Sequence, residues 1–198
     1  AMDNGPWPWS MLLAMARARG HAHCRDEGLG QSHLLWPMIW SHGQCPWPVP
    51  MATAWATALA KALAKHYQTQ WVEEYARDYL QKKWDQHQAF CTLEDLTIIV
   101  KEQLESENQK AIKANKLLFC DTNVVVTKVW SETHFDGYCD PAIMEYSKKF
   151  KYDLYFLTGI DLPWKKDDLR DRPNNRKEMF DAFKNALIFP PSPIISST

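Results

Sequence analysis

Two short apolar runs decide what kind of core this chain can build. Lys116–Asp121 reads KLLFCD and Tyr152–Thr158 reads YDLYFLT. Each is too short for a buried helix and too continuously apolar for a half-exposed strand, which marks an interior strand of a parallel sheet. Helical spacing surrounds them. Trp55–His66 alternates Ala, Leu and Lys, all good helix formers. Glu74–Trp84 reads as a helix, and Thr92–Asn115 as a longer one that opens on Thr92 as N-cap with Glu94 close behind. Leu96, Ile99, Val100, Gln103 and Leu104 mark the inward face of that longer helix. Pro141–Phe150 and Asn174–Ile188 add two more helices, while Thr69–Val72 and Pro193–Ser197 are strand candidates. Thr122–Trp130 is apolar and β-branched and fits helix or strand equally. Strands alternating with helices imply right-handed crossovers and an α/β layered domain.

The first quarter of the chain has a different texture. All 16 lysines lie at or beyond Lys61, whereas residues 1–50 hold five of the ten Trp and six of the twelve Pro. Proline removes backbone donors, so this stretch supports little regular structure, and Ser10–Arg19 is its one short helix candidate. Residues 1–53 are therefore expected to be a poorly ordered arm, foreign to the domain at 54–198; a shifted or read-through reading frame would produce such a break. His21, His23, Cys24, His33, His42 and Cys45 fit no common zinc spacing.

Composition excludes several classes. A formal net charge of −1 leaves no broad footprint for nucleic acid. No run reaches the roughly 18 continuous apolar residues of a membrane-spanning helix, and the opening lacks the basic start of a signal peptide. Five cysteines at unrelated spacings point to reduced thiols and a cytoplasmic setting.

The chemistry should lie where a strand ends in a carboxylate. Asp121-Thr122 closes the KLLFCD run, the arrangement in which a phosphoryl-transfer domain offers a magnesium-side Asp at the carboxyl edge of a parallel sheet. Strands also end in Asp for turn and capping reasons, so the pair alone is a weak signal.

Four motifs in order strengthen it. Glu74-Tyr75-Ala76-Arg77-Asp78-Tyr79 resembles the E-Y-x-R-[ED]-Y segment of NadR-type ribosylnicotinamide kinases, and Phe119-Cys120-Asp121-Thr122-Asn123 resembles the Walker B strand of that family. Tyr152–Leu157 and then Pro163-Trp164-Lys165-Lys166-Asp167-Asp168-Leu169-Arg170-Asp171 resemble its lid region, usually W-x-x-D-G-L-R, with Asp168 here at the usual Gly. The resemblance runs from about Leu59 to Ile188. It implies a P-loop-kinase-like, three-layer parallel sheet with helices on both faces, and transfer of the γ-phosphate of ATP to nicotinamide riboside in NAD biosynthesis. By resemblance the cofactors are magnesium and ATP. Asp121 and Thr57 would hold the metal, with Thr57 also at the nucleotide. Glu74 would orient or deprotonate the ribose hydroxyl, and Arg170 would meet the developing negative charge or else pair with Asp167 or Asp171. Tyr75, Arg77, Tyr79, Trp84 and Trp164 would line the substrate, although Tyr79 and Trp84 fit ordinary packing better than stacking.

One part of the family pattern is missing. A phosphate loop reads G-x-x-x-x-G-K-[ST], its backbone N–H groups wrapping the phosphates. Aligned on the helix at Leu59–Lys65, Pro50 and Trp55 stand at the glycines, Ala56 at the lysine and Thr57 at the hydroxyl. The strand that should precede the loop is degraded too, since Gln44–Pro50 carries three prolines. An adenylyltransferase domain, often fused ahead of this kinase domain, has no visible counterpart in residues 1–53. The expected outcome is a kinase domain of impaired activity; the alternatives are a non-catalytic remnant that binds ligand or protein, and a defective gene product.

Overall fold

The two apolar runs form strands of one sheet, with a third strand between them. The computed structural model describes residues 13–18, 54–160, 175–188 and 194–196. Its strands are β1 (Leu13–Ala18), β2 (Gln70–Val72), β3 (Leu117–Cys120), β4 (Leu154–Leu157) and β5 (Ile194–Ser196), in the order β2-β3-β1-β4-β5. Its helices are α1 (Ala54–His66), α2 (Tyr75–His87), α3 (Leu93–Lys113), α4 (Val124–His134), α5 (Pro141–Lys149) and α6 (Arg176–Ile188).

Side chains on β3 and β4 alternate between two cores, as the period of a pleated strand requires. Leu118, Cys120, Tyr155 and Leu157 join the larger core with α2, α3, α4, α5 and α6. Leu117, Phe119, Leu154 and Phe156 face the other way, onto the Ala60 and Ala64 side of α1. Helices thus cover both faces, and the α/β class read from the sequence holds.

Local chemistry explains the element boundaries. The β-branched stretch after Asp121 becomes helix because Asn123 caps it, Oδ1 accepting from the N–H groups of Val125 at 2.9 Å and Val126 at 3.1 Å. Asp140 does the same for α5, accepting from Ala142 N–H at 2.8 Å with Pro141 following in the first turn. Thr92 caps α3 as expected, but the acid that reaches back is Asp95 and not Glu94; its Oδ2 accepts from the Thr92 N–H at 2.7 Å.

The centre of the sheet departs from expectation. Residues within Ser10–Arg19 form no helix; Leu13–Ala18 is a strand, antiparallel to both β3 and β4. Two interior strands present rows of N–H and C=O groups that must be paired, and this demand outweighs the helix preference of an Ala-rich segment. β2 runs parallel to β3, and β4 to β5, so the four other strands share one direction and β1 opposes them. The central position is filled, then, by part of the segment expected to be a disordered arm. Residues 44–50 lie outside the described residues.

Direction has a consequence. Ala18, the last residue of β1, pairs with Leu117 at the start of β3, while Leu13 pairs with Leu157 at the end of β4. The chain therefore leaves β1 at the sheet edge opposite Asp121. No described helix is long and apolar enough to cross a membrane.

Candidate functional site

The carboxyl edge of β2 and β3 gathers most of the polar residues singled out above. Parallel pairing sets Val72 opposite Cys120. The ladder continues one step further, with the Asp121 N–H donating to the Val72 carbonyl at 3.0 Å. Asp121 thus sits at the strand end beside Glu73 and Glu74, which leave β2 at the same level.

Asp121 is 1 % exposed. Its Oδ2 accepts a hydrogen bond from the hydroxyl of Thr57, in the first turn of α1. Among the described residues its Oδ1 is buried without a hydrogen-bond partner. Burial lifts the carboxyl to about 6, against the opposing pull of the Thr57 hydroxyl and the charges of Lys61 and Arg77; Glu73 pushes it further up. A buried carboxylate with one bare oxygen and a hydroxyl on the other is a donor set that fits a hard cation such as magnesium.

The neighbouring edge is built by the start of α2. Glu74 is its N-cap and is buried at 8 % exposure. Tyr75 and Tyr79 stack one turn apart, with ring centroids 5.9 Å apart and an interplanar angle of 26°. Arg77 lies close enough to act on the charge of Asp121. Gln103, on the buried face of α3, joins the two edges: its Oε1 accepts from the Tyr75 N–H at 2.9 Å and its Nε2 donates to the Thr122 carbonyl at 3.2 Å.

Thr57, Glu74, Tyr75, Arg77 and Asp121 are thus brought together. Tyr79 is turned to another task, its hydroxyl donating to Asp95 Oδ1 at 2.8 Å, and burial with that bond lifts it to about 12. Trp84 packs on Phe90 with centroids 5.4 Å apart, about 13 Å along the axis of α2 from Tyr75. Trp164 and Arg170 lie outside the described residues.

Three neighbours were not singled out from the sequence as site residues. Lys61 follows Thr57 by one helical turn, a spacing that could have flagged it. Glu73 comes off β2 at the level of Asp121. Gln103 gave no sequence signal for a bridging role.

A family model described as an AAA domain matches residues 56–194. This chain belongs to that AAA domain family. The match begins at Ala56, just past both positions that the loop glycines would hold. The AAA domain is also similar to a crystal structure of NadR protein in complex with NAD and AMP-PNP, with a TM-score of 0.56 and 18% identity. That likeness covers 71% of this chain and 40% of the NadR chain, so the AAA domain spans well under half of that protein. At such identity the likeness shows a common fold. No curated protein matches the chain.

Proposed function

We propose that this AAA domain is a ribosylnicotinamide-kinase-type domain, transferring the γ-phosphate of ATP to the ribose hydroxyl of nicotinamide riboside at a rate cut by loss of the phosphate loop. The observation that carries this reading is the Thr57–Asp121 pair, held at one sheet edge with Glu74 and Arg77 beside it.

In this reading Asp121 and Thr57 hold magnesium, which when bound supplies positive charge against the phosphate oxygens. Glu74 accepts the proton of the ribose hydroxyl or orients it, and Arg77 anchors a phosphate or carboxylate oxygen. Tyr75 lies against the nicotinamide ring, and Arg170 and Trp164 come from the lid segment. The five cysteines support a cytoplasmic setting and the net charge of −1 gives no support to a nucleic-acid partner.

The impairment follows from what surrounds the pair. Ala56 replaces the lysine that would reach the β- and γ-phosphates, a charge-assisted contact worth roughly 1.5–3 kcal/mol.

Formation of nicotinamide mononucleotide from Mg·ATP and nicotinamide riboside tests the proposal. Slow, magnesium-dependent turnover that Asp121→Asn abolishes is expected. Riboside binding without turnover would favour a non-catalytic binding remnant. Neither binding nor turnover, in a sample that melts cooperatively, would overturn the assignment.

A further inference from the structure

Gln103 lies 3 % exposed among Leu96, Ile99, Val100 and Leu104 on the apolar face of α3. Packing alone would be served by Leu or Met there, and a buried amide is costly unless both ends are satisfied. Both ends are satisfied, by backbone groups of two different elements. The Tyr75 N–H is one of the donors that the first turn of α2 leaves without an intrahelical partner. The N-cap Glu74 makes no side-chain cap bond, so the Gln103 Oε1 serves from the neighbouring helix at 2.9 Å. The Thr122 carbonyl, in the turn between Asp121 and the Asn123 cap of α4, takes the Nε2 hydrogen at 3.2 Å. Because an N–H must donate and a C=O must accept, these partners fix the orientation of the amide.

We infer that Gln103 is a positioning residue that locks the Asp121–Thr122 edge to the Glu74–Tyr75 edge, so that occupation of one edge is coupled to occupation of the other. The inference rests on the proposed function for its two ligands, a magnesium nucleotide at Asp121 and a ribosyl substrate at Glu74. The nearest substitutes in size or chemistry do not perform this task. Glu keeps the acceptor for Tyr75 but sets a carboxylate oxygen against the Thr122 carbonyl, Met fills the volume and makes neither bond, and Asn is one methylene too short to span both.

The test is the affinity of the full chain for nicotinamide riboside with and without Mg·AMP-PNP. Magnesium AMP-PNP should tighten riboside binding at least about fivefold in the unchanged protein, the lower range of measured site-to-site couplings. Whatever riboside affinity Gln103→Met keeps, Mg·AMP-PNP should no longer tighten it, so the ratio of the two affinities falls to about one, a pattern that a merely structural role does not produce. Retention of the tightening in Gln103→Met, even with both affinities reduced, overturns the inference. Should Gln103→Met fail to fold, Gln103→Glu carries the same comparison. If the unchanged protein binds neither ligand, the proposed function has failed, and hydrogen exchange then judges the bridge by itself. Gln103→Met must then expose the amides of residues 75–77 and of residues 122–124 together; exposure of the first group alone overturns it.

Discussion

Thr57 and Asp121 stand 64 positions apart in the chain, and the threonine hydroxyl donates to Oδ2 of the buried aspartate. The bond ties the first turn of α1 to the end of β3, the two elements between which a phosphoryl-transfer domain holds its metal. The other carboxylate oxygen, Oδ1, is buried and without a hydrogen-bond partner among the described residues. A site built this way should reveal itself by pH, by cations and by substitution.

Asp121 gives the first prediction. Burial lifts its carboxyl from 3.8 to about 6, so the folded chain holds this proton more tightly than the unfolded chain does. Its favourable contribution is complete below about pH 4 and is lost as pH rises through about 6. Asp121→Asn, which cannot ionise, should match the unchanged protein at pH 4 and exceed it at pH 7.5 by on the order of 2–3 kcal/mol. Urea melts at the two pH values check this. Millimolar magnesium should narrow the gap by stabilising the unchanged protein alone.

Asp95 carries the opposite sign. Burial pulls its carboxyl up, but the hydrogen bonds from Lys83, the Thr92 N–H and the Tyr79 hydroxyl outweigh burial and hold it below the usual carboxylate range. The stability it supplies is present above the ordinary value near 4 and disappears as pH falls through its lower folded value. Asp95→Asn should cost about 1–2 kcal/mol at pH 7 through the lost cap and ion pair, and should flatten the acid limb of stability against pH. An unchanged acid limb would count against it.

Ala56 tests whether one residue can restore the grip on phosphate. It is 2 % exposed and continues the inward stripe of Ala60 and Ala64 along α1. Ala56→Lys would drive an ammonium into the packed side of the helix, so it should lower stability by about 2 kcal/mol or more and give no gain in turnover. A stable variant with faster turnover would mean that the helix start can open toward the site.

The Tyr152 hydroxyl donates to Glu107 Oε2 at 2.6 Å, with both residues buried. Tyr152→Phe leaves the carboxylate without that donor and should destabilise the domain by about 1.5–3 kcal/mol, the worth of a hydrogen bond to a charged group. Glu107→Gln in the Phe variant should recover part of the loss, measured as a double-mutant cycle in urea.

Much of this was legible in the residues. The runs at 117–120 and 154–157 announced interior strands, and Asp121 at the end of one announced the edge where chemistry gathers. Val124, Val125 and Val126 were ambiguous because β-branched residues favour strands; the Asn123 cap decided for helix, and one capping side chain is a faint signal beside three valines. Leu13–Ala18 was illegible because nothing local makes it a strand; the demand comes from β3 and β4, far along the chain. Tyr79 resembled a substrate residue from its motif, but only the tertiary approach of Asp95 shows where its hydroxyl goes. Gln103 read as one polar position on an apolar helix face, since its meaning lies in two backbone groups on other elements.

A thermal-shift titration with Mg·ATP, run on the unchanged protein and on Asp121→Asn, tests the proposed nucleotide edge most directly. A ligand that binds the folded state must raise its melting temperature saturably. With the edge kept and the loop lost, the midpoint should fall on the order of millimolar, where roughly 4 kcal/mol of binding energy remains, and Asp121→Asn should remove the response. A cooperative melt that does not move with Mg·ATP, or a response that survives in Asp121→Asn, would contradict it.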